Sequence, residues 1–243
     1  MSQSDFEMLG WDQFLERMGK VWNPGEHWAL IVPTGGGKTT FAAGLAKTRK
    51  YSLALDPKGG DTTLAMLETR FGWQRITSWP PPREVYDRIE EGQPAHLIVG
   101  GRITRLDDFK NKLAPLFDKA IKGAFEQKGW TVYIDELQIA ADRRMMNLMA
   151  NIELMMIAAR DRAVSMVTSY QRPANVPKTA SNQATWLVIY HTRDRDTVDT
   201  IAHMMGRPKD EVRGVVGALP KHCVVVVNRS PRMPMLVTLP DPL

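Results

Sequence analysis

A chain of 243 residues has room for one large α/β core but not for two complete ones, and 43% hydrophobic with 24% charged residues excludes a disordered or fibrous chain. The 32 Lys and Arg against 27 Asp and Glu leave a net charge of +5, the sign that suits a polyanion but too small to name one. The single Cys223 excludes an intramolecular disulfide and reads as a small buried hydrophobe in an apolar strand, which fits a reducing cytoplasm.

At the N-terminus there is no basic-then-apolar leader, and no run approaches the ~18 apolar residues of a membrane span. A soluble, unexported, cytoplasmic protein is the expectation. Phe6, Leu9, Phe14, Leu15 and Met18 predict an amphipathic helix within residues 1–24, packed on the core or on a neighbouring subunit, ahead of one domain over 25–243. Strands are expected at 28–32, 52–55, 96–99, 131–134, 164–169, 186–190, 224–227 and 235–237. Helical patterns alternate with them, including Phe109, Leu113, Leu116, Phe117, Ala120 and Ile121, and later Val198, Ile201, Ala202 and Met205. That alternation predicts an α/β fold: a mainly parallel sheet flanked by helices, closed by a C-terminal β-hairpin.

After the first of these strands comes Pro33, Thr34, Gly35, Gly36, Gly37, Lys38, Thr39 and Thr40, which opens a helix through Phe41, Ala42 and Leu45. Phosphate oxygens need closely approaching backbone N–H groups, which glycines allow without steric penalty, and a helix N-terminus adds favourable dipole charge. The loop therefore predicts ATP binding: Lys38 reaches the β- and γ-phosphates and the Thr39 hydroxyl meets Mg²⁺. The usual G-x-x-x-x-G-K-[ST] pattern opens with a glycine where Val32 stands here, a departure that leaves the three contiguous glycines intact. A glycine-rich turn with an incidental lysine is the plain alternative, and the strand-loop-helix context argues against it.

The apolar run 130–134 ends in Asp135 and Glu136. An Asp at such a strand end can hold Mg²⁺ through water, and the following Glu can polarise an attacking water as general base. An ordinary polar strand end would look the same without the phosphate loop. The next strand ends at Gln171, an amide that in such a sheet can sit beside the γ-phosphate and register its presence; a solvent-facing Gln is the alternative. The Lys110, Lys112, Lys119 and Lys122 set is interspersed with Asp107, Asp108 and Asp118 and reads as a solvated helix face.

The segment from Ala159 through Arg160 and Arg162 to Gln171, Arg172 and Pro173 resembles one in FtsK–HerA family DNA translocases, where an arginine precedes a strand ending in Thr-Gln-Arg-Pro or a close variant. Leu55-Asp56-Pro57-Lys58-Gly59 resembles the Asp-Pro-Lys segment of FtsK and of conjugative coupling proteins. Leu219-Pro220-Lys221, the Val run and Pro234 are similar to the closing hairpin of HerA. These likenesses run in order over nearly the whole chain. They imply a RecA-like (ASCE) P-loop NTPase core acting as a ring, pentamer or hexamer, with ATP at subunit interfaces and double-stranded DNA in the channel, bound without sequence readout.

By the same likeness Gln171 is the sensor, Arg160 or Arg162 is the arginine supplied in trans, and Arg143, Arg144 and Lys178 face the DNA. From the residues alone, Arg160 and Arg162 read rather as the solvated last turn of a helix, where positive charge suits the dipole. A membrane anchor, an N-terminal barrel and a DNA-reading module, which larger relatives have, are not expected here. The chain therefore looks like the packaging ATPases of small or internal-membrane viruses, working in the host cytoplasm at a portal or capsid vertex. A cellular or plasmid-encoded DNA-transfer ATPase is the alternative within the family. Outside it stand a helicase, which needs a second lobe, and a P-loop kinase or nucleotide-dependent interaction module, which needs an acceptor pocket and lid.

Overall fold

Along β2 (His27–Ile31) Trp28 and Leu30 join one apolar layer while Ala29 and Ile31 join the other, so the strand is buried on both faces. The same alternation places Leu53 and Leu55 of β3 (Tyr51–Leu55), with Val132 and Ile134 of β6 (Trp130–Ile134), opposite Ala54 and Tyr133. Strands buried on two faces are what a parallel sheet covered by helices requires. The computed structural model describes residues 6–33, 35–59, 62–172, 178–229 and 234–239.

Among those residues the remaining strands are β1 (Glu7–Leu9), β4 (Gln74–Ile76), β5 (Ala95–Val99), β7 (Ser165–Tyr170), β8 (Ala184–Ile189), β9 (Cys223–Asn228) and β10 (Met235–Thr238). They form one sheet in the order β1-β10-β9-β8-β2-β7-β6-β3-β5-β4. From β8 to β4 every neighbouring pair is parallel; β9 runs antiparallel to both β8 and β10, which gives the expected closing hairpin.

One face carries α1 (Trp11–Val21), α2 (Lys38–Lys47) and α3 (Thr62–Phe71), through Phe14, Met18, Phe41, Leu45, Leu64 and Leu67. Trp28 and Trp186, paired across β2 and β8, stack with ring centroids 4.9 Å apart at the centre of this layer. On the other face lie α4 (Arg83–Glu90), α5 (Ala114–Gln127) after a π-helical turn at Phe109–Leu113, α6 (Leu137–Ala141), α7 (Met149–Arg162), α8 (Lys178–Gln183), α9 (Arg195–Met205) and α10 (Lys209–Gly217).

The N-terminal segment departs from the expected single helix. Phe6 and Leu9 lie outside α1, and Glu7–Leu9 pairs in parallel with β10, leaving Phe14 and Met18 to bury the helix against Trp28 and Phe41. A three-residue edge strand is too short to show a period, so its apolar residues blend into the helical pattern that follows. Cys223 also differs: as the first residue of β9 it is half-buried, with its Sγ 3.8 Å from the Thr238 hydroxyl.

Candidate functional site

The loop leaving β2 places three glycines for three separate reasons. Gly35 (φ 75°) and Gly37 (φ 84°) lie in the left-handed region that side chains resist, and a Cβ on Gly36 would meet Val32 Cγ1 at 2.8 Å and the Pro33 carbonyl at 3.1 Å. Gly37 caps α2 without a side-chain bond, so the first-turn N–H groups open toward whatever occupies the loop. Thr39 and Thr40 are buried at that first turn. The loop is braced from β8's end, where the buried Tyr190 hydroxyl donates to the Gly37 carbonyl at 3.5 Å. Thr34 lies outside the described residues.

Three further strand ends converge on this loop, because β2, β7, β6 and β3 are consecutive in the sheet and parallel. From β6 come Asp135 and Glu136, both buried. Lys38 contacts Glu136 directly and lies 3.3 Å from Asp135 Oδ1. From β7 the Gln171 amide donates to Glu136 Oε1 at 3.3 Å, and the Ser169 hydroxyl donates to Asp135 Oδ1 at 3.0 Å. From β3's end Lys58 brings its Nζ within 3.6 Å of Glu136 Oε1 and 3.8 Å of Asp135 Oδ2.

The electrostatics fit a carboxylate kept ionised for use as a base. Burial pushes the Glu136 carboxyl up, but the Lys38 ammonium, with Lys58 and the Gln171 amide, more than offsets this and holds it below the usual range. Glu136 also adopts a left-handed backbone (φ 54°), a conformation a non-glycine residue holds only when its surroundings impose it. Beneath it, the Tyr133 hydroxyl is raised well above its ordinary value by burial and by Asp135, so it stays a donor, to Asp135 Oδ1 at 2.9 Å.

The residues present fit a magnesium ion that arrives with phosphates. Asp135 Oδ2 is buried and takes no hydrogen bond, an acceptor left over after Tyr133 and Ser169 have satisfied Oδ1. Among the described residues no group of three or more His, Cys, Asp or Glu could hold a metal, so an ion here would need ligand oxygens and water beside Asp135 and Thr39. Next to the loop, a cleft of about 370 Å³ lies between Pro33, Gly35, Gly36 and Tyr190 on one side and Leu219, Pro220 and His222 on the other. Its walls are mostly apolar, and Cys223 is among the residues that line it.

The other expected residues sit apart from this cluster. Arg160 is in the last turn of α7, packed against Gly25, where a Cβ would lie 2.8 Å from the Arg160 Cα. That is the opposite end of β2 from the phosphate loop, five residues or roughly 16 Å away, so Arg160 does not reach its own site. Arg162 lies over the Phe125 ring at 5.1 Å. Arg143 and Arg144 are exposed between α6 and α7, and Lys178 is exposed as the first residue of α8. Lys58 carried no role from the sequence; a lysine just past the end of a parallel strand was the available signal. Tyr133, Ser169 and Tyr190 gave none, since each reads as one more residue of an apolar strand.

No protein-family model and no curated protein matches this chain. Among solved structures it is similar to the genome packaging NTPase B204 from Sulfolobus turreted icosahedral virus 2, over 91% of this chain and 100% of that one, at 16% identity and a TM-score of 0.63. VirB4 of Thermoanaerobacter pseudethanolicus is similar over 86% of this chain and 88% of its own, at 10% identity and a TM-score of 0.59. The bacterial conjugative coupling protein TrwBdeltaN70 is similar over 98% and 93%, at 13% identity and a TM-score of 0.54. At these identities the likeness establishes the fold, and it is the RecA-like P-loop fold expected from the sequence.

Proposed function

We propose that this chain is an ATP hydrolase that drives double-stranded DNA translocation, and that its work is to pump a viral genome into a preformed capsid. The observation that carries the ATPase reading is the convergence of the glycine loop, Lys38, Asp135, Glu136 and Gln171 on the ends of three adjacent parallel strands. Phosphoryl transfer needs those parts in that arrangement: a backbone cradle and lysine for the phosphates, an acid beside the metal, and a carboxylate for the attacking water. Thr39 and Asp135 would hold Mg²⁺, which when bound neutralises charge on the phosphates. Glu136, kept ionised by its cations, accepts the proton of water, while Gln171 fixes the carboxylate's orientation. The apolar cleft beside Gly35 and Gly36 takes the nucleoside end.

The packaging reading is supported by the fold likeness to B204, a genome packaging NTPase whose whole chain is covered and which is known in complex with AMPPCP and ATP-gammaS. The likeness to a conjugative coupling protein favours a second reading, a plasmid or cellular DNA-transfer ATPase. In both, the chain works as a ring, pentamer or hexamer, with Arg160 or Arg162 serving a neighbour's site and Arg143, Arg144 and Lys178 touching the DNA backbone without sequence readout. A portal or capsid vertex is the expected partner of the packaging motor, in the host cytoplasm. Among the described residues no helix is long and apolar enough to cross a membrane.

Phosphate release from ATP with and without double-stranded DNA tests the proposal, with Lys38→Ala as the control that removes nucleotide engagement. Stimulation by DNA is expected. Phosphate transfer to a small molecule, or a rate indifferent to DNA, would overturn it. Capsid and portal genes beside this one would favour packaging over DNA transfer.

A further inference from the structure

The turn after β3 is more strongly built than a connecting loop needs. Asp56 is fully buried at its start; Oδ1 accepts the Gly59 N–H at 3.0 Å and Oδ2 accepts Arg75 Nη1 at 2.8 Å, while Arg75 Nε donates to Glu68 at 2.7 Å. Pro57 fixes one backbone dihedral. Gly59 holds φ 66° in a space where a Cβ would come within 2.3 Å of Ile103 Cγ1 and 2.6 Å of the Gly101 carbonyl. Burying a carboxylate is costly unless it is paired in this way, and what the pairing fixes is the direction of the one side chain between Pro57 and Gly59. That side chain is Lys58, which points to the acid pair.

The two lysines of the cluster are held differently. Lys38 contacts Glu136 directly and is mostly buried, whereas Lys58 stays 3.6 Å or more from both acids with its side chain 41% exposed. Both ammonium groups lie within ion-pair distance of the two carboxylates. A magnesium-bound triphosphate brings net negative charge to this spot, and Asp135 then has the metal to face. Lys58 is the cation better placed to re-aim: its stem is long, its approach to the acids is more distant than that of Lys38, and it lies on the β3 side of Glu136, opposite Gln171 on the β7 side. Glu136 acts on water attacking the terminal phosphorus, so a cation beside it is beside the terminal phosphate.

Resting on the ATPase reading above, we infer that Lys58 is a second phosphate-contacting lysine, one that neutralises the acid pair in the empty site and transfers to the terminal phosphate of a bound nucleoside triphosphate. It thereby adds to Lys38 a second cationic contact that a triphosphate can make and a diphosphate cannot.

The test is a titration of Mg²⁺ with a non-hydrolysable ATP analogue, and of Mg²⁺ with ADP, into wild-type protein, Lys58→Ala and Lys58→Arg, with melting temperatures recorded for each. Lys58→Ala should weaken the triphosphate analogue about 10- to 100-fold, the worth of a charge-assisted hydrogen bond, and shift ADP by no more than about twofold. Lys58→Arg should recover part of the loss. The melting temperatures establish that each variant is folded before its affinities are compared. Equal losses for both nucleotides, or no loss for either while the wild type binds both, would overturn the inference and leave the ATPase reading standing. A wild type that binds neither nucleotide would instead bring down the ATPase reading itself.

Discussion

Gln171 Nε2 lies 3.3 Å from Glu136 Oε1, and since an ionised carboxylate only accepts, the amide must be the donor. The amide at the end of β7 is thus tied to the carboxylate at the end of β6, and what one feels the other transmits. Glu136→Gln removes the base while keeping the shape: ATP should still bind, and hydrolysis should fall by about 10² to 10⁴. Gln171→Ala should leave binding near normal and lower turnover by about 10- to 100-fold, because Glu136 keeps its charge but is no longer oriented from the β7 side. Single-turnover hydrolysis beside a binding titration measures both. Near-normal turnover in Glu136→Gln would remove it from the catalytic assignment.

Arg143, Arg144 and Lys178 are exposed cations outside the nucleotide cluster, the situation in which phosphate contacts form by counterion release. Replacing all three with Ala should weaken DNA binding without sequence preference. The slope of log affinity against log salt should flatten by about 0.9 for each phosphate that is no longer neutralised. Filter binding across a salt series reads this directly, with the melting temperature as the folding control. An unchanged slope would show that DNA is held elsewhere.

His27 joins three elements at the far end of the sheet: its Nδ1 accepts the Met166 N–H at 3.0 Å, which leaves Nε2 to donate to the Met156 carbonyl at 3.0 Å. That tautomer is neutral. Burial lowers the imidazole below its ordinary value of 6.5, and the Arg160 charge adds to the effect against the Met156 hydrogen bond and Glu26. The unfolded chain therefore takes up a proton that the folded chain refuses. His27's stabilisation is fully present above about pH 6.5 and is lost as the pH falls from there through the depressed folded value. Melting temperatures between pH 7.5 and 5.5 should fall for the wild type. They should fall less steeply for His27→Gln, which is less stable overall; parallel slopes would exclude His27 as the titrating group.

Much of this was legible beforehand because the signals are local. Three glycines and a lysine between an apolar strand and a helix, or two acids after an apolar run, fix geometry within a few residues. The central strands were readable as apolar runs because both of their faces are buried. β1 and β4 were not: each has three residues at or near a sheet edge, and their place comes from pairing with β10 and β5, distant in sequence or masked by flanking polar residues. Lys58, quoted in the Asp-Pro-Lys run, carried no role for a related reason. Its meaning depends on β3 lying next to β6, and strand order is a property of the fold that no local pattern carries. Cys223 misread as buried because an apolar run does not show that its first residue opens onto a cleft.

The position of Arg160 yields the last prediction. It sits at the foot of β2 and β7 while its own phosphate loop lies at their heads, so any γ-phosphate it stabilises belongs to another subunit. Hydrolysis would then require assembly, and the rate per subunit should rise steeply with protein concentration. Arg160→Ala should bind ATP yet lose about 10³ to 10⁵ in rate, the scale of a fixed guanidinium on transferring phosphoryl oxygens. Arg162, engaged over Phe125, should matter less. Mixing Arg160→Ala with Glu136→Gln is the sharper experiment: where subunits exchange, some interfaces pair an intact Arg160 with a neighbour's intact Glu136, and hydrolysis returns at those interfaces although neither variant is active alone. Labelled protein verifies the exchange. A stable monomer whose rate is independent of concentration and indifferent to Arg160→Ala would reject the trans-acting arginine, and with it the ring on which the packaging motor depends.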